Sequence, residues 1–352
     1  ITTQELQRRF RDSAQEELAG DTHQFMLAGR MMAKRLMGKI AFVRLLDGSG
    51  SIQLVVQRDR LPEGVYQQFK HWDVGDIIGA RGHMFRTEKG ELSLQLDGLR
   101  LLAKSLRPLP EKWHGLQDPE ERFRKRYLDI LMDEKIKEIF IKRAKFWDAT
   151  REFMRKENFL EVETPTIEVT TGGAEAKPFK TYHNDFDMEV FMRISVGELW
   201  QKRLLAAGFP RVFEIGRVYR NEGSSPEHVQ EFTNMEFYAG YMDYIQGTEL
   251  TERMLKEITK KTFGTLQFEK DGEKIDLSGE WKRIAYVDTI KEMIDIDVLS
   301  ATVKEMEEKL GELGVEYQGA NKERLTDSLW KYCRKQIAGP VWLVDVPKLV
   351  SP

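Results

Sequence analysis

The chain opens with a polar, helix-like stretch and then changes to short alternating segments. Residues 1–20 predict a polar helix or the remnant of one. From about His23 to Lys104, apolar and polar positions alternate with a period of two, and Gly-rich turns separate the segments. A helical stretch, LPEGVYQQFKHW, falls between the third and fourth of about five predicted strands. The pattern over 21–104 predicts a small closed all-β barrel of the OB type, although other small barrels fit it too.

The remainder mixes helices and strands in runs. Residues 105–132 contain three prolines, have no periodicity and predict a linker. A long helix is predicted for 133–158, with its apolar positions at steps of three and four. Further on, the pattern predicts a strand (FLEVETPTI), a Gly-rich loop, a strand and helix, two strands around a charged loop, a helix over 249–263, a hairpin over 265–277, inserted helices over about 287–336 and a last strand (PVWLVDVP). These runs predict an α+β domain over 133–352.

Composition and charge narrow the class of protein. The chain is 41% hydrophobic and 32% charged, which is typical of a soluble globular protein. Its single cysteine excludes an internal disulfide and predicts a reducing, cytoplasmic location. The net charge is −3, but the 13 Lys and Arg and 9 Asp and Glu in 21–104 give that segment +4. A basic front module indicates contact with a polyanion, although an ordinary solvated surface can carry the same charge.

The most specific chemical feature is a strand, a polar loop and a returning strand, RVFEIGRVYRNEGSSPEHVQEFTNMEFY. On a strand, Arg220 and Glu222 would share one face, and so would Glu236 and Tyr238. An arginine fork can hold a phosphate or carboxylate, and the ring of Phe232 can stack on a purine. An ordinary hairpin with ion-paired surface charges fits the same residues.

Taken together, these segments resemble class II aminoacyl-tRNA synthetases. The strand–loop–strand segment is similar to their second motif, and NFLEVETPTI upstream is similar to their first. The resemblance implies that Arg220 binds the ATP α-phosphate and the acyl carboxylate, while Phe232 stacks on adenine. It also implies that Glu222 and His228 orient ATP and that Pro165 shapes a dimer interface.

The resemblance is strongest to the bacterial lysine-specific branch, class IIb, and covers about residues 20–352. Three stretches carry it: TGGAEAKPF, RISVGELWQKRLLAAGFPRVFEIGR and the RNEG tetrapeptide. It assigns the amino-acid pocket to Gly173, Glu198, Glu236 and Tyr238. Two carboxylates suit a lysine ammonium, because a buried cation must be paired, whereas an aspartate pocket would need Arg or Lys. Each glutamate could instead be a surface carboxylate.

The front module is similar to the anticodon-binding barrel of that branch, through GRMMAKRLMGKIAFVRLLDGSGSIQLVV. The resemblance implies that Phe42, Gln53 and Glu91, with Arg30 as a fourth member, read the uridine-rich anticodon of lysine tRNA. An aromatic ring can stack on an unstacked base, and Gln and Glu can bond its edge. Barrel packing or solvated surface is the alternative for each residue.

The resemblance implies a reaction with two steps at one site. The lysine carboxylate attacks the α-phosphorus of ATP, and the ribose hydroxyl at the end of the tRNA then takes the lysyl group. ATP is thus a substrate, Mg²⁺ is expected to bridge its phosphates, and the full-length enzyme is expected to be a homodimer. Metal ligands are expected outside this chain.

The sequence departs from the family pattern in several places, one of which is Val196-Gly197 in place of the usual Ala-Pro before Glu198. The second-motif loop has Glu227, Val229 and Gln230 where the family usually shows Arg, Asn and Pro. A third motif, which carries an arginine for the ATP γ-phosphate, does not occur before the chain ends. We therefore expect that this polypeptide is a fragment that cannot complete the adenylation site and is inactive by itself.

Three alternatives remain at this stage. The first is an aspartyl- or asparaginyl-tRNA synthetase, which the two pocket carboxylates argue against. The second is a paralogue that modifies a protein instead of tRNA, although such paralogues usually lack the barrel. The third is a non-catalytic protein that binds RNA or forms dimers.

Overall fold

The structure is a computed structural model, and it describes residues 1–110, 116–225, 228–317, 319 and 321–351. The chain divides into two compact units, Ile1–Lys137 and Glu138–Pro352. In the parts that the structure describes, no helix is long and apolar enough to cross a membrane.

The first unit is built around five strands. They are β1 (Phe25–Met37), β2 (Ile40–Leu46), β3 (Ser51–Gln57), β4 (Ile77–Arg86) and β5 (Leu92–Ala103). They close into a barrel in the order β1-β2-β3-β5-β4, with β3 and β5 parallel and the other neighbours antiparallel. A 3-10 turn (Arg58–Arg60) and helix α3 (Val65–Lys70) lie between β3 and β4 in the chain. The predicted OB-type barrel is therefore confirmed.

Alternation along the strands divides the barrel into an apolar inside and a polar outside. In β2, Ala41, Val43 and Leu45 are buried, while Phe42 and Arg44 between them are half-buried on the outer face. Two positions need glycine because strands approach closely there. A Cβ atom at Gly82 would lie 2.0 Å from the carbonyl oxygen of Gln95, and one at Gly29 would lie 2.5 Å from that of Leu46.

Two helices before the barrel contribute to its core. They are α1 (Thr3–Phe10) and α2 (Gln15–Gly20), and they bury Leu6, Phe10 and Leu18 among the barrel residues. A capping box between Thr2 and Glu5 starts α1. The stretch that the sequence predicts as a separate helical remnant is thus packed against the strands that follow.

The predicted linker over 105–132 contains two short helices that its lack of periodicity did not indicate. They are α4 (Pro119–Arg124) and α5 (Arg126–Met132), which follow the undescribed residues 111–115. The Asp118 side chain caps α4, and Pro119 stands at its first position. The buried carboxylate of Asp129 joins the two helices through ion pairs with Arg122 and Arg126.

The second unit is α+β, as predicted. Its helices are α6 (Glu134–Lys156, which begins in the first unit), α7 (Glu198–Ala206), α8 (Tyr244–Phe263), α9 (Tyr286–Ile294), α10 (Val303–Glu312) and α11 (Lys322–Arg334). Its strands are β6 (Leu160–Glu161), β7 (Ile167–Glu168), β8 (Lys180–His183), β9 (Met188–Met192), β10 (Arg211–Tyr219), β11 (Glu231–Ala239), β12 (Gln267–Lys270), β13 (Glu273–Asp276), β14 (Lys282–Ala285) and β15 (Val341–Val344). They form the sheets β11-β10-β6 and β7-β9-β8, the hairpin β12-β13 and the parallel pair β14-β15.

The long helix, the hairpin and the inserted helices lie close to their predicted positions, but the predicted strand FLEVETPTI is wrong. That segment forms only β6 and β7, each two residues long and in different sheets. Pro165 lies in the loop between them and is exposed. Because proline lacks a backbone N–H and restricts the residue before it, it interrupts a continuous strand.

Candidate functional site

Glu236 is the centre of the pocket predicted for the amino acid. Its Oε1 atom accepts hydrogen bonds from the backbone N–H of Val196 (2.9 Å) and from the side-chain amide of Asn234 (3.2 Å). The Tyr238 hydroxyl donates to Oε2 over 3.0 Å, so the predicted shared face of Glu236 and Tyr238 on β11 is confirmed. The carboxylate is therefore held in a fixed position by three donors from two segments.

Burial raises the pKa of Tyr238 above its usual value, and the negative charges of Glu236 and Glu198 raise it further. The phenol is therefore protonated at neutral pH and acts as a donor. Both carboxylates therefore lie within electrostatic range of the same phenol. One ion pair partly balances their charge, since Lys202 contacts Glu198 one helical turn along α7.

The Gly-rich loop lies directly against this acidic region. Gly173 has a φ angle of +86°, and a Cβ atom there would lie 2.2 Å from Ser195 Oγ and 2.5 Å from Glu198 Oε2. The Ser195 hydroxyl donates to the carbonyl oxygen of Gly172 over 2.8 Å. Only glycine allows both the backbone angle and the close approach. Of the four residues predicted for the amino-acid pocket, the structure thus brings Gly173 against Glu198, and Tyr238 against Glu236.

A buried ion pair that we did not predict supports the segment 194–198. Arg193 Nη1 contacts Glu214 Oε1 at 2.5 Å, and each side chain is only 5% exposed. The Thr164 hydroxyl donates to the other oxygen of Glu214 over 2.6 Å. Gly216 leaves room for the guanidinium, because a Cβ atom there would lie 2.0 Å from Arg193 Nη2. The available signal in the sequence was a charged residue inside each of two apolar runs, FMRISV and RVFEIG.

The residues predicted to bind ATP begin just beyond β10. Arg220 continues the strand pairing through its backbone N–H, which donates to Gln230 O over 2.8 Å. Its side-chain Nε donates to Ile194 O over 3.3 Å. Its guanidinium lies over the ring of Phe232, 5.3 Å from the centroid. Two of the four predicted ATP-binding residues are therefore in direct contact with each other.

The premise that Arg220 and Glu222 share a strand face is wrong, because β10 ends at Tyr219. The chain turns there to pair with the end of the Gly-rich loop. The backbone N–H of Asn221 donates to Lys177 O over 2.7 Å, and Glu222 Oε1 accepts from Lys177 N over 3.2 Å. Glu222 thus joins the loop over the amino-acid pocket to the loop after β10.

His228 is exposed and lies at the tip of the loop, where its Nδ1 atom is 2.8 Å from Ser225 Oγ. Gln230, a departure from the family pattern, fills the base of the loop. Its side-chain amide donates to Glu222 O (2.9 Å) and Ser224 Oγ (2.7 Å). Val229 is exposed, and Glu227 lies outside the described residues.

In the barrel, three of the four predicted anticodon-binding residues line one cleft of about 690 Å³, hereafter the base cleft. Phe42 presents a half-buried ring there. The Gln53 side-chain amide donates to Ser93 Oγ over 3.0 Å, and Glu91 is ion-paired with Arg44 at 2.8 Å.

Arg30 is not among the described residues that line the base cleft. Its guanidinium donates to Gly75 O over 2.7 Å, which ties β1 to the turn before β4. Arg35 lines the cleft instead and stands opposite Phe42 in the pairing of β1 with β2. The register of this hairpin would have distinguished the two arginines, but alternation alone does not give it.

Comparison with known proteins gives the class first. The model of a family described as "tRNA synthetases class II (D, K and N)" matches residues 118–352, and that of an OB-fold nucleic acid binding domain matches residues 25–102. The chain therefore belongs to the class II tRNA synthetases, an ATP-dependent group of ligases.

Similar curated proteins narrow the class to one branch. A lysine–tRNA ligase of Thioalkalivibrio sulfidiphilus is 49% identical over 80% of this chain and 56% of its own length. The heat-inducible lysine–tRNA ligase of Escherichia coli K12 is 42% identical over all of this chain and 70% of its own length. The lysine–tRNA ligase of Azoarcus sp. is 41% identical over all of this chain and 71% of its own length. Within the class, the chain belongs to the lysine–tRNA ligase family.

Proposed function

We propose that the protein activates L-lysine with ATP and transfers the lysyl group to lysine tRNA. The observation that carries this proposal is that Tyr238 donates to Glu236 and also feels the charge of Glu198, whose carboxylate lies against Gly173. Two carboxylates in one partly buried region suit a cationic ligand, because a buried ammonium must be paired and hydrogen-bonded. An aspartate or asparagine side chain would find repulsion or no partner for its carbonyl there.

The proposed lysine pocket uses each residue differently. Glu236 and Glu198 would bind the substrate's ammonium groups, and Tyr238 would hold Glu236 in place with its hydroxyl. Gly173 would let the loop backbone approach the substrate closely. Lys202 would compete with the substrate for Glu198, which it contacts in the present structure.

The proposed ATP site lies at the loop after β10. Phe232 would stack on adenine, and Arg220 would lie at the α-phosphate, with Glu222 and His228 orienting the nucleotide. A lysine carboxylate oxygen attacks the α-phosphorus, and the bond to pyrophosphate breaks. The positive charge of Arg220 would balance the negative charge that develops on the phosphoryl oxygens, so positioning and electrostatics supply the rate enhancement.

Mg²⁺ enters the proposal only as the ion that ATP carries on its phosphates. The described ranges contain no group of three or more His, Cys, Asp and Glu that could hold a metal ion. No step of the reaction is therefore assigned to metal ligands of this chain.

For the tRNA, we propose that the base cleft reads the anticodon. Phe42 would stack on a base, Gln53 and Glu91 would bond base edges, and Arg35 would take the role that the sequence assigned to Arg30. The transfer step then moves the lysyl group from the adenylate to the terminal ribose hydroxyl, with release of AMP.

We also propose a homodimer in the cytoplasm. The first half of α6 exposes Ile139 (59%), Phe140 (50%) and Ile141 (47%), and Pro165 is exposed too. Exposed apolar residues on the helix that precedes the first motif in the chain suit a two-fold interface. The single, buried Cys333 is consistent with a reducing compartment.

The experiment that tests this function is amino-acid-dependent ATP–pyrophosphate exchange with the full-length protein. We expect exchange with lysine but not with aspartate or asparagine. Glu236→Gln should raise the KM for lysine, while Glu189→Gln, on an exposed hairpin where Glu189 pairs with Lys180, should not. Exchange with aspartate or asparagine, or the lack of exchange with any amino acid, would refute the proposal and favour the alternatives given above.

A further inference from the structure

A second cleft of the first unit is lined by four arginines among nine residues, and only its Glu91 has a role in the function proposed above. It has a volume of about 790 Å³ and lies between α1 and the rim of the barrel. We name it the arginine cleft, and its charged residues are Glu5, Arg8, Arg11, Arg44, Arg86 and Glu91.

The arginine cleft carries a surplus of positive charge. Four guanidinium groups face two carboxylates, and one of those carboxylates, Glu91, is already paired with Arg44. Arg8 and Arg11 are exposed and have no ion-pair partner among the residues that the structure describes. Two arginine forks are thus available to an anionic ligand.

Arg86 makes four hydrogen bonds to backbone carbonyl groups, which do not neutralise its charge. It donates to the carbonyl oxygens of Phe10 (3.2 Å), Ser13 (2.9 Å) and Gly90 (3.0 Å), and it also contacts that of Arg11. Carbonyl groups fix a guanidinium without cancelling its charge, so Arg86 contributes a permanent positive charge to the base of the cleft.

The helix that carries Arg8 is fastened to the barrel rather than loosely attached. Thr3 donates to both oxygens of Asp47 over 2.7 and 2.8 Å, and Gln4 N donates to Ser49 Oγ over 3.1 Å. Leu6 and Phe10 are buried in the barrel core. The arginines are therefore held on a fixed frame, which lowers the entropy lost when a ligand binds.

The arginine cleft begins where the base cleft ends. Glu91 lines both clefts, and Arg44 of the arginine cleft stands opposite Gln53 of the base cleft in the pairing of β2 with β3. A strand of RNA whose bases enter the base cleft would therefore continue towards the arginines. Nucleic-acid backbones are positioned mainly by such phosphate contacts, which carry no sequence information.

We propose that the arginine cleft binds phosphates of the RNA backbone next to the bases read in the base cleft, and does so independently of sequence. This proposal rests on the proposed function of the barrel, because it takes the RNA in the base cleft as given. An acidic peptide could meet the same charges, but it would not account for the continuity with the base cleft.

The test is the salt dependence of RNA binding by the full-length protein. Binding of an anticodon stem-loop with the lysine anticodon, and of the same RNA with a changed anticodon, is measured by fluorescence anisotropy over a range of salt. The double variant Arg8→Gln/Arg11→Gln should reduce the slope of log affinity against log salt by about 1.4, or about 0.7 for each phosphate contact with single-stranded RNA. The reduction should be equal for both RNAs.

Two matched controls separate a phosphate site from a general loss of charge. Arg9→Gln removes a charge from the same helix, but Arg9 lies over the rings of Phe10 and Phe25 and does not line the cleft. It should change the slope clearly less than Arg8→Gln alone. Arg8→Lys/Arg11→Lys keeps the charges and should keep the slope. Circular dichroism checks that each variant is folded.

An unchanged slope in the double Gln variant, or an equal change in Arg9→Gln, would overturn the proposal. So would a double Gln variant that loses binding of an acidic peptide while its binding of both RNAs is unchanged. The proposed function fails in a different way. If the wild-type protein binds both RNAs equally and Phe42→Ala changes neither affinity, the base cleft does not read the anticodon, whatever the arginines do.

Discussion

In the barrel, the base cleft takes its side chains from neighbouring strands whose register is set by the barrel itself, as for Phe42 and Gln53. In the second unit, the proposed lysine pocket is assembled from segments far apart in the chain, and hydrogen bonds between segments hold them together. Glu236, for example, is fixed by the backbone of Val196, 40 positions away.

This difference predicts how each site responds to mutation. The ring of Phe42 is half-buried on the outer face of the barrel, so its removal should be a local loss, whereas Gln53 and Glu91 also bond Ser93 and Arg44. In the lysine pocket, each group is also a partner of another group. A substitution there should also disturb the neighbouring groups, and the effects of two substitutions should not be additive.

The largest effect is expected at the buried ion pair. Arg193→Met leaves Glu214 buried without its charged partner, which should cost about 3–5 kcal/mol of unfolding free energy. Denaturant unfolding of the full-length protein measures it. Arg193→Met/Glu214→Leu should recover most of the loss, because it removes both charges. A double variant as unstable as the single one would show that packing, and not the unpaired charge, dominates.

Gly173→Ala should mainly affect catalysis. The new methyl group would meet Ser195 Oγ at 2.2 Å, so the loop must shift away from Glu198. We expect kcat/KM for lysine to fall about a hundredfold, the usual result of displacing a positioned group by about 1 Å. Lysine-dependent exchange kinetics measure it, and Gly223→Ala, where a Cβ atom meets nothing within 4 Å, is the control. Equal effects of the two changes would contradict the role of the close approach.

Phe42→Ala should weaken tRNA binding by about 1–3 kcal/mol, the usual loss when a base loses an aromatic platform. Lysine activation without tRNA should be unchanged. Anisotropy and exchange assays on one preparation separate the two effects. A loss of lysine activation as large as the loss of tRNA affinity would contradict this separation of the two sites, because it would show that Phe42 also affects lysine activation.

The smallest expected effect concerns the fastening of α1. Burial raises the pKa of Asp47, but hydrogen bonds from Thr3 and Ser49 outweigh it and lower the pKa to about 2 from 3.8. This stabilisation is therefore present above about pH 4 and is lost as the pH falls towards 2. Asp47→Ala should cost about 1–2 kcal/mol at pH 6. Thermal unfolding of both proteins at pH 6 and pH 2.5 tests it, because the difference should shrink markedly at the lower pH.

The sequence predicted the barrel well because alternation directly reports which side of a strand faces the core. It failed where the decisive contact is distant in the chain. The segment around Pro165 looks like a strand, but proline divides it between two sheets. Arg220 and Glu222 look like strand neighbours, but pairing with Lys177 turns the chain at that point.

For the candidate site, the resemblance supplied most residues, and the structure added their supports. No periodic pattern reveals that Arg193 and Glu214 are partners, since each stands alone in an apolar run. Likewise, choosing Arg35 over Arg30 required the register of β1 against β2. Pairing between segments that are distant in the chain depends on the tertiary fold, and the pattern of a single sequence does not reveal it.

The parallel pairing of β3 with β5 also has a consequence for the order of folding. It joins Gln53, Leu54 and Val55 to residues 40 positions later, and the barrel also needs the pairing of β1 with β4, which joins residues 47 to 57 positions apart. The entropy of closing so long a loop must be overcome before the pairing gives any stability, so closure is expected late in folding. Gln53 stands opposite Ser93 in this pairing, and Glu91 directly precedes β5. A newly made chain would therefore acquire the proposed base cleft only after these long-range pairings have formed.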